Sequence, residues 1–157
     1  MMREEILKVL KKLEALCSKN EKCESYAFKY MTDRGADEKE AALAVEYLVE
    51  NGFVDNKRYA GAFARDKFRF NKWGKRRIES ELKMKKISKE DIASALEIEE
   101  ISLGEEDLIA GELKKKLRSL KNSPVEKIKE KLLRFSLGRG YAYQTSKTLI
   151  DNLLRGN

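Results

Sequence analysis

Apolar residues recur at three- and four-residue steps along this chain, the spacing that lines one face of an α-helix. Ile6, Leu7, Leu10, Leu13 and Leu16 predict a first helix over Arg3–Leu16, which Ser18, Lys19 and Asn20 interrupt. A second helix is expected over 21–34, with Tyr26, Tyr30 and Met31 inward and Gly35 as its C′ terminator. Asp37 with Glu40 three residues on has the form of a capping box. It opens a third helix that carries Leu43, Val45, Tyr47, Leu48 and Val49 and stops at Asn51-Gly52. After the apolar link Phe53-Val54, Asp55 or Asn56 caps a fourth helix bearing Tyr59, Phe63, Phe68 and Phe70, and Trp73-Gly74 ends it. A fifth, Lys75–Lys86, holds Ile78 and Leu82; Ser88 with Asp91 caps a sixth that turns Ile92, Ala95 and Leu96 inward. The acidic stretch 97–107, which contains Gly104, reads as a boundary or bend. Three further helices are expected over 107–120, from Ser123-Pro124 to Leu137 with Pro at N1, and over 144–154.

The nine predicted helices fall in threes. Tyr26, Tyr30 and Gly35 stand in register with Ile78, Leu82 and Ile87, 52 positions on, and LLRFSLGRG returns a similar distance further. A period near 50 residues marks stacked helical units, each too small to bury its own faces. The expected fold is all-α: three tandem three-helix repeats, 1–54, 55–103 and 104–157, stacked into an elongated, curved array. The alternative is one irregular bundle. Composition agrees with long amphipathic helices over thin cores, since 39% of the 157 residues are charged and one is Pro, against about 25% charged in an average globular chain.

Charge is unevenly spread. Between Arg65 and Lys86 stand ten Lys or Arg against three acids, an excess of seven that equals the formal net charge of +7 of the whole chain. An anionic partner is drawn there first. Solvated helix faces account for many such runs, and Arg77–Glu81 and Glu81–Lys85 have i,i+4 pairing distance. Arg65, Lys67, Arg69 and Lys72, however, have only Asp66 as counterweight, and Arg76 and Lys83 stack seven apart on a face away from Ile78 and Leu82. The candidate binding residues are therefore Arg65, Lys67, Arg69, Lys72, Trp73, Lys75, Arg76 and Lys83. Phe68 and Phe70, about 200° apart on a helix, cannot share a face. Of Phe68, Phe70 and Trp73, Trp73 is expected to be the exposed one.

Enzyme chemistry finds little material. The chain has no His, the commonest general base and metal ligand. Gly74-Lys75-Arg76 lacks the upstream Gly and the hydroxyl of a phosphate loop, and Gly138-Arg139-Gly140 does not continue into a dinucleotide fingerprint. Cys17 and Cys23 are too few for a disulfide framework or a zinc site and read as reduced thiols. No catalytic, cofactor or metal site is expected. The opening MMREEILKVLKKLEALC spaces its apolar residues with charges, unlike a signal peptide, and no run approaches the ~18 apolar residues of a membrane span. The expectation is a cytoplasmic monomer without membrane contact.

Gly52, Phe53, Val54, Asp55, Asn56, Arg58, Tyr59 and Ala60, followed by Gly74, Arg77-Ile78, Glu81-Leu82 and Lys85-Lys86-Ile87, resemble the signature of the RecX family, regulators of the bacterial recombinase RecA. Arg134-Phe135 and Arg139-Gly140-Tyr141 fit the third repeat, so the resemblance spans nearly the whole chain. Asn56 stands where the family usually has a second Asp, and Lys86 replaces the usual Gly, which makes a left-handed helix cap there unexpected. The resemblance implies a non-enzymatic protein that binds the RecA filament on single-stranded DNA and curbs strand exchange, ATP turnover and the co-protease activity behind the SOS response. It also implies some contact with DNA, duplex included. Two rivals stand beside it: a stand-alone, sequence-nonspecific DNA-binding protein with the fifth helix against a groove, and a helical adaptor that binds no DNA. Against sequence readout, that helix offers Lys and Arg but no Asn or Gln for adenine edges.

Overall fold

The computed structural model describes residues 2–156, and every regular element among them is α-helical. The order is α1 (Glu4–Lys19), α2 (Glu24–Asp33), α3 (Glu38–Glu50), α4 (Asn56–Phe70), α5 (Lys75–Met84), α6 (Lys89–Leu96), α7 (Glu99–Ser119), α8 (Val125–Gly138) and α9 (Tyr143–Gly156). Two compact units share these helices. One takes the described residues up to Ala62 with Leu82–Ser94; the other takes Phe63–Glu81 with the described residues from Ala95 on.

In the first unit, α1, α2 and α3 pack on one another around Ile6, Leu10, Leu13, Ala27, Met31 and Leu48. The α2–α3 seam is built from small side chains, Ala27, Ala41 and Ala44, all fully buried, which lets the two backbones approach closely. Ala27 and Met31 are the buried residues of α2; Met31 is the expected one, whereas Tyr26 is exposed, as are Leu43, Tyr47 and Val49 on α3 and Leu7 on α1. The capping box is present: Asp37 Oδ1 accepts from the Glu40 N–H at 2.8 Å, and Glu40 Oε1 accepts from the Asp37 N–H at 3.0 Å. The buried Glu40 carboxylate also takes the Arg3 guanidinium at 2.7 Å. That bond, joined by backbone N–H donors of Asp37 and Arg3, lowers the Glu40 pKa from 4.5 to about 2.

Asp55 caps α4, accepting from the Arg58 N–H at 3.0 Å. Asn56 serves another helix: its Oδ1 accepts from the Glu24 N–H at 2.9 Å and so closes the start of α2. Gly35 ends α2 at φ +101. Lys86 ends α5 at φ +62, so the left-handed cap forms despite the side chain, with the Ile87 N–H returning to Leu82 O at 3.1 Å.

In the second unit, α7, α8 and α9 enclose Ile109, Leu113, Leu132, Tyr141 and Ile150. The expected break falls at Glu97-Ile98, between α6 and α7, and is much shorter than 97–107. Residues 99–107 form the first turns of α7, a continuous 21-residue helix through Gly104 and Gly111. Gly104 is covered by the Phe68 ring, whose Cζ lies 3.5 Å from where a Cβ would stand. Pro124 is the N-cap of α8, one position earlier than expected.

Candidate recognition surface

The end of α4, the connector 71–74 and the start of α5 lie within the second unit. The last turn of α4 closes on itself: the N–H groups of Asn71 and Trp73 both reach Lys67 O at 3.1 Å. Lys72 takes a left-handed conformation at φ +58, and its ammonium donates to Arg69 O at 2.7 Å. A cation there satisfies a terminal carbonyl and suits the negative end of the helix dipole.

This reversal brings Trp73 back over α4. Its ring meets Phe63 edge-on at 6.1 Å, with Lys67 Nζ 5.1 Å and the Arg77 guanidinium 4.1 Å from the indole centroid. Cations at these distances are drawn to the indole quadrupole. Trp73 is thus half-buried and clamped; the exposed aromatic is Phe70, 76% accessible, whereas Phe68 is buried at 7%. The two phenylalanines do face apart, as their spacing requires.

Next, the chain presses against 138–141. The Gly74 N–H donates to Arg139 O at 2.7 Å, the Arg76 N–H to Gly140 O at 3.1 Å, and an Arg77 guanidinium N–H to Gly138 O at 3.1 Å. The buried Tyr141 hydroxyl donates to Lys72 O, and burial pushes its pKa up to about 12. Two glycines make this approach possible, because a Cβ on Gly74 would lie 2.5 Å from Gly140 O and from Tyr141 Cδ1. Glu105 of α7 accepts the Lys75 N–H at 2.8 Å, placing a carboxylate at the N-terminus of α5.

Several cations of the basic run are therefore engaged internally. Arg69 makes a two-pronged pair with Glu100, at 2.6 and 2.7 Å. The bond from Arg69 holds the Glu100 carboxyl below its ordinary range, and the Arg65 charge adds to the effect. Lys72 caps α4, and Lys67 and Arg77 flank Trp73. Lys75 is half-buried, while Arg65 and Arg76 are exposed. Lys83, exposed as well, belongs to Leu82–Ser94 in the other unit. Residues of this surface outside the candidate set are Arg77 and Arg139–Tyr141, which the RecX resemblance does include, and Glu100 and Glu105. An acidic 97–107 following a basic 65–86 was the available signal for the two glutamates. Arg139 is neutralised by Glu112 at 3.1 Å and lies 4.5 Å over Phe135.

Residues 55–96 match the model of the second three-helix domain of RecX. A curated relative named Regulatory protein RecX, from Clostridium botulinum (strain Eklund 17B / Type B), is 34% identical over 124 residues that cover 77% of this chain. The chain carries the second three-helix domain of RecX and is similar to RecX proteins over most of its length. A second RecX relative, from Clostridium perfringens (strain SM101 / Type A), is 26% identical over 162 residues, covering 96% of this chain and 74% of its own length. The chain spans 57% of the length of the C. botulinum relative. Two solved structures share the fold. One described as regulatory protein RecX superimposes with a TM-score of 0.82 at 19% identity, over 94% of this chain and 72% of that one. RecX from Lactobacillus salivarius superimposes with a TM-score of 0.80 at 16% identity, over 97% and 98%. The all-α expectation and the RecX resemblance are both borne out. Among the described residues, no helix is long and apolar enough to cross a membrane.

Proposed function

We propose that this RecX-like chain binds the RecA filament on single-stranded DNA and inhibits its recombinase, ATPase and co-protease activities, restraining recombinational repair and the SOS response. It acts in the cytoplasm as a monomer built of three repeats, 1–54, 55–103 and 104–157, without catalysis of its own. The similarity to proteins named Regulatory protein RecX across 77% of the chain carries this reading. The contact lies on the basic segment. Arg65 and Arg76 are its leading residues, because they are exposed while Arg69 and Lys72 are engaged in the fold. Lys67, Trp73 and Lys75 support that contact from the clamp and the turn beside it; Lys83, seven residues after Arg76 along α5, is tested together with Arg76. The stand-alone DNA-binding reading fares worse. A helix aimed at a phosphate needs its N-terminal N–H groups open, whereas Glu105 already sits on the Lys75 N–H.

The test is RecA ATP hydrolysis on single-stranded DNA, with and without this protein, at two salt concentrations. Inhibition at amounts well below RecA, lost in Arg65→Glu with Arg76→Glu and in Arg76→Glu with Lys83→Glu, is the expected result. Inhibition only near saturation of the DNA, collapsing with salt as phosphate contacts do, would replace the filament reading with a general single-strand binder.

A further inference from the structure

In the first unit, a groove of about 800 Å³ opens beside the start of α2, within the ~300–1,000 Å³ of sites that take drug-sized ligands. Tyr26 and Phe28 of α2, Val45 of α3 and Met84 of α5 give it an apolar lining. Met84 is 77% exposed, and Tyr26 and Phe28 are also exposed, so this unit leaves an apolar face uncovered. The groove is braced: Ser25 Oγ donates to Lys85 O at 2.7 Å, and the left-handed turn at Lys86 forms part of the wall.

The rim is basic. Lys29, Lys85 and Lys86 line it, and Lys22 Nζ lies 4.5 Å over the Tyr26 ring. Lys29 pairs with Asp33 at 2.9 Å, and of the other charged groups Lys22 and Lys86 outnumber Glu24, the acid of the lining. We infer that this groove receives a short segment of a partner protein: one aromatic or aliphatic side chain anchored on Phe28 and Met84, flanked by carboxylates that meet the lysines. A nucleic acid fits less well, because Lys22 already covers the Tyr26 ring and Val45 and Met84 are aliphatic, which leaves Phe28 alone for a base to stack on. A flexible Met at the mouth suits an inserted apolar side chain. None of Arg65–Arg76 contributes, so this surface is independent of the basic one.

The chain has four methionines, so methyl NMR of Met-labelled protein reads Met84 directly. The probes are three peptides of about ten residues and an oligothymidylate. The first peptide carries a Phe-Ser-Ser-Leu core between glutamates; the second has lysines in place of the glutamates; the third keeps the glutamates and replaces Phe and Leu with Ser. The expected result is that only the first shifts the Met84 methyl, and that Phe28→Ser and Lys22→Glu with Lys86→Glu each weaken binding about tenfold or more. Thermal unfolding checks that these variants fold. Met84→Ser, at a site 77% exposed, repeats the measurement by anisotropy of the labelled peptide if Phe28→Ser does not fold. An unmoved Met84 methyl, equal binding of the lysine-flanked peptide, or stronger shifts with oligothymidylate would each overturn the inference, the last by assigning the groove to nucleic acid.

Discussion

The contact between Gly74 and Gly140 allows a loss of stability to be worked out from geometry. Gly74→Ala puts a Cβ 2.5 Å from Gly140 O and 2.5 Å from Tyr141 Cδ1. Neither neighbour is the free end of a flexible side chain. The carbonyl holds the Arg76 N–H at 3.1 Å, and the Tyr141 ring is fully buried. Relief therefore means separating the two segments. Overpacking costs about 1–3 kcal/mol, and each backbone hydrogen bond lost, from Gly74 to Arg139 or from Arg76 to Gly140, adds roughly 1 kcal/mol. The expected loss is about 2–5 kcal/mol. Gly140→Ala meets the backbone of Arg77 from the other side, with Arg77 Cα 2.8 Å from the new Cβ, and must also hold φ +86. That conformation costs an L-residue about 1–2 kcal/mol more, so Gly140→Ala is the worse of the pair. The double variant costs less than the sum, since both changes open one contact. Urea unfolding followed by Trp73 emission is the assay, because the single Trp is clamped by Arg77 next to the contact. A parallel far-UV circular dichroism curve covers the rest of the chain. If either variant unfolds within about 0.5 kcal/mol of the parent with unshifted emission, the close approach is not what holds 72–77 in place.

Lys86→Gly should raise stability by about 1 kcal/mol in urea unfolding, since it removes the Cβ penalty at φ +62. Gly104→Ala should add about 0.5–1 kcal/mol, as its Cβ meets Phe68 at an ordinary 3.5 Å; a loss would mean that the ring cannot accept a methyl. Glu40 titrates at about 2 in the fold against an ordinary 4.5. The Arg3–Glu40 contribution is therefore complete above pH 4.5 and fades as pH falls through 2. The gap in melting temperature between parent and Arg3→Ala should close over that window, and a gap constant from pH 7 to 2 would refute the linkage. Arg69→Ala should cost at most about 1 kcal/mol, as exposed pairs do, and leave filament inhibition intact; lost inhibition would move Arg69 into the contact.

Helix positions from α1 to α6 were legible because caps and spacing are local signals: Asp37–Glu40, Asp55 and Ser88 all act where the sequence puts them. Which face turns inward was harder. In α2, aromatic bulk pointed to Tyr26, yet the seam with α3 needs the small Ala27, a fact about the facing helix. In the stretch 97–107, the part from Glu99 on misled for a similar reason. Gly104 and a run of acids look like a break until Phe68, Arg69 and the Lys75 N–H, all distant in sequence, are found against them. The same applies to the basic segment. Its charge excess is plain in the sequence, but separating exposed Arg65 and Arg76 from Arg69, Lys72 and the clamp on Trp73 needs contacts that no local pattern encodes. At Lys86, the preference for Gly at a left-handed cap gave way to the need to close α5.

Asn56 and Arg58 give the first unit an order of assembly. The α2 start waits for an acceptor 32 positions downstream, and Glu21 just before it waits for Arg58 at 2.8 Å. A growing chain that has made α1 to α3 but not the first turn of α4 still has α2 unclosed at its leading end. In hydrogen exchange, the Glu24 amide should then keep pace with the opening of residues 56–58 and not with its own helix, so the two helix starts, separated by all of α3, breathe as one.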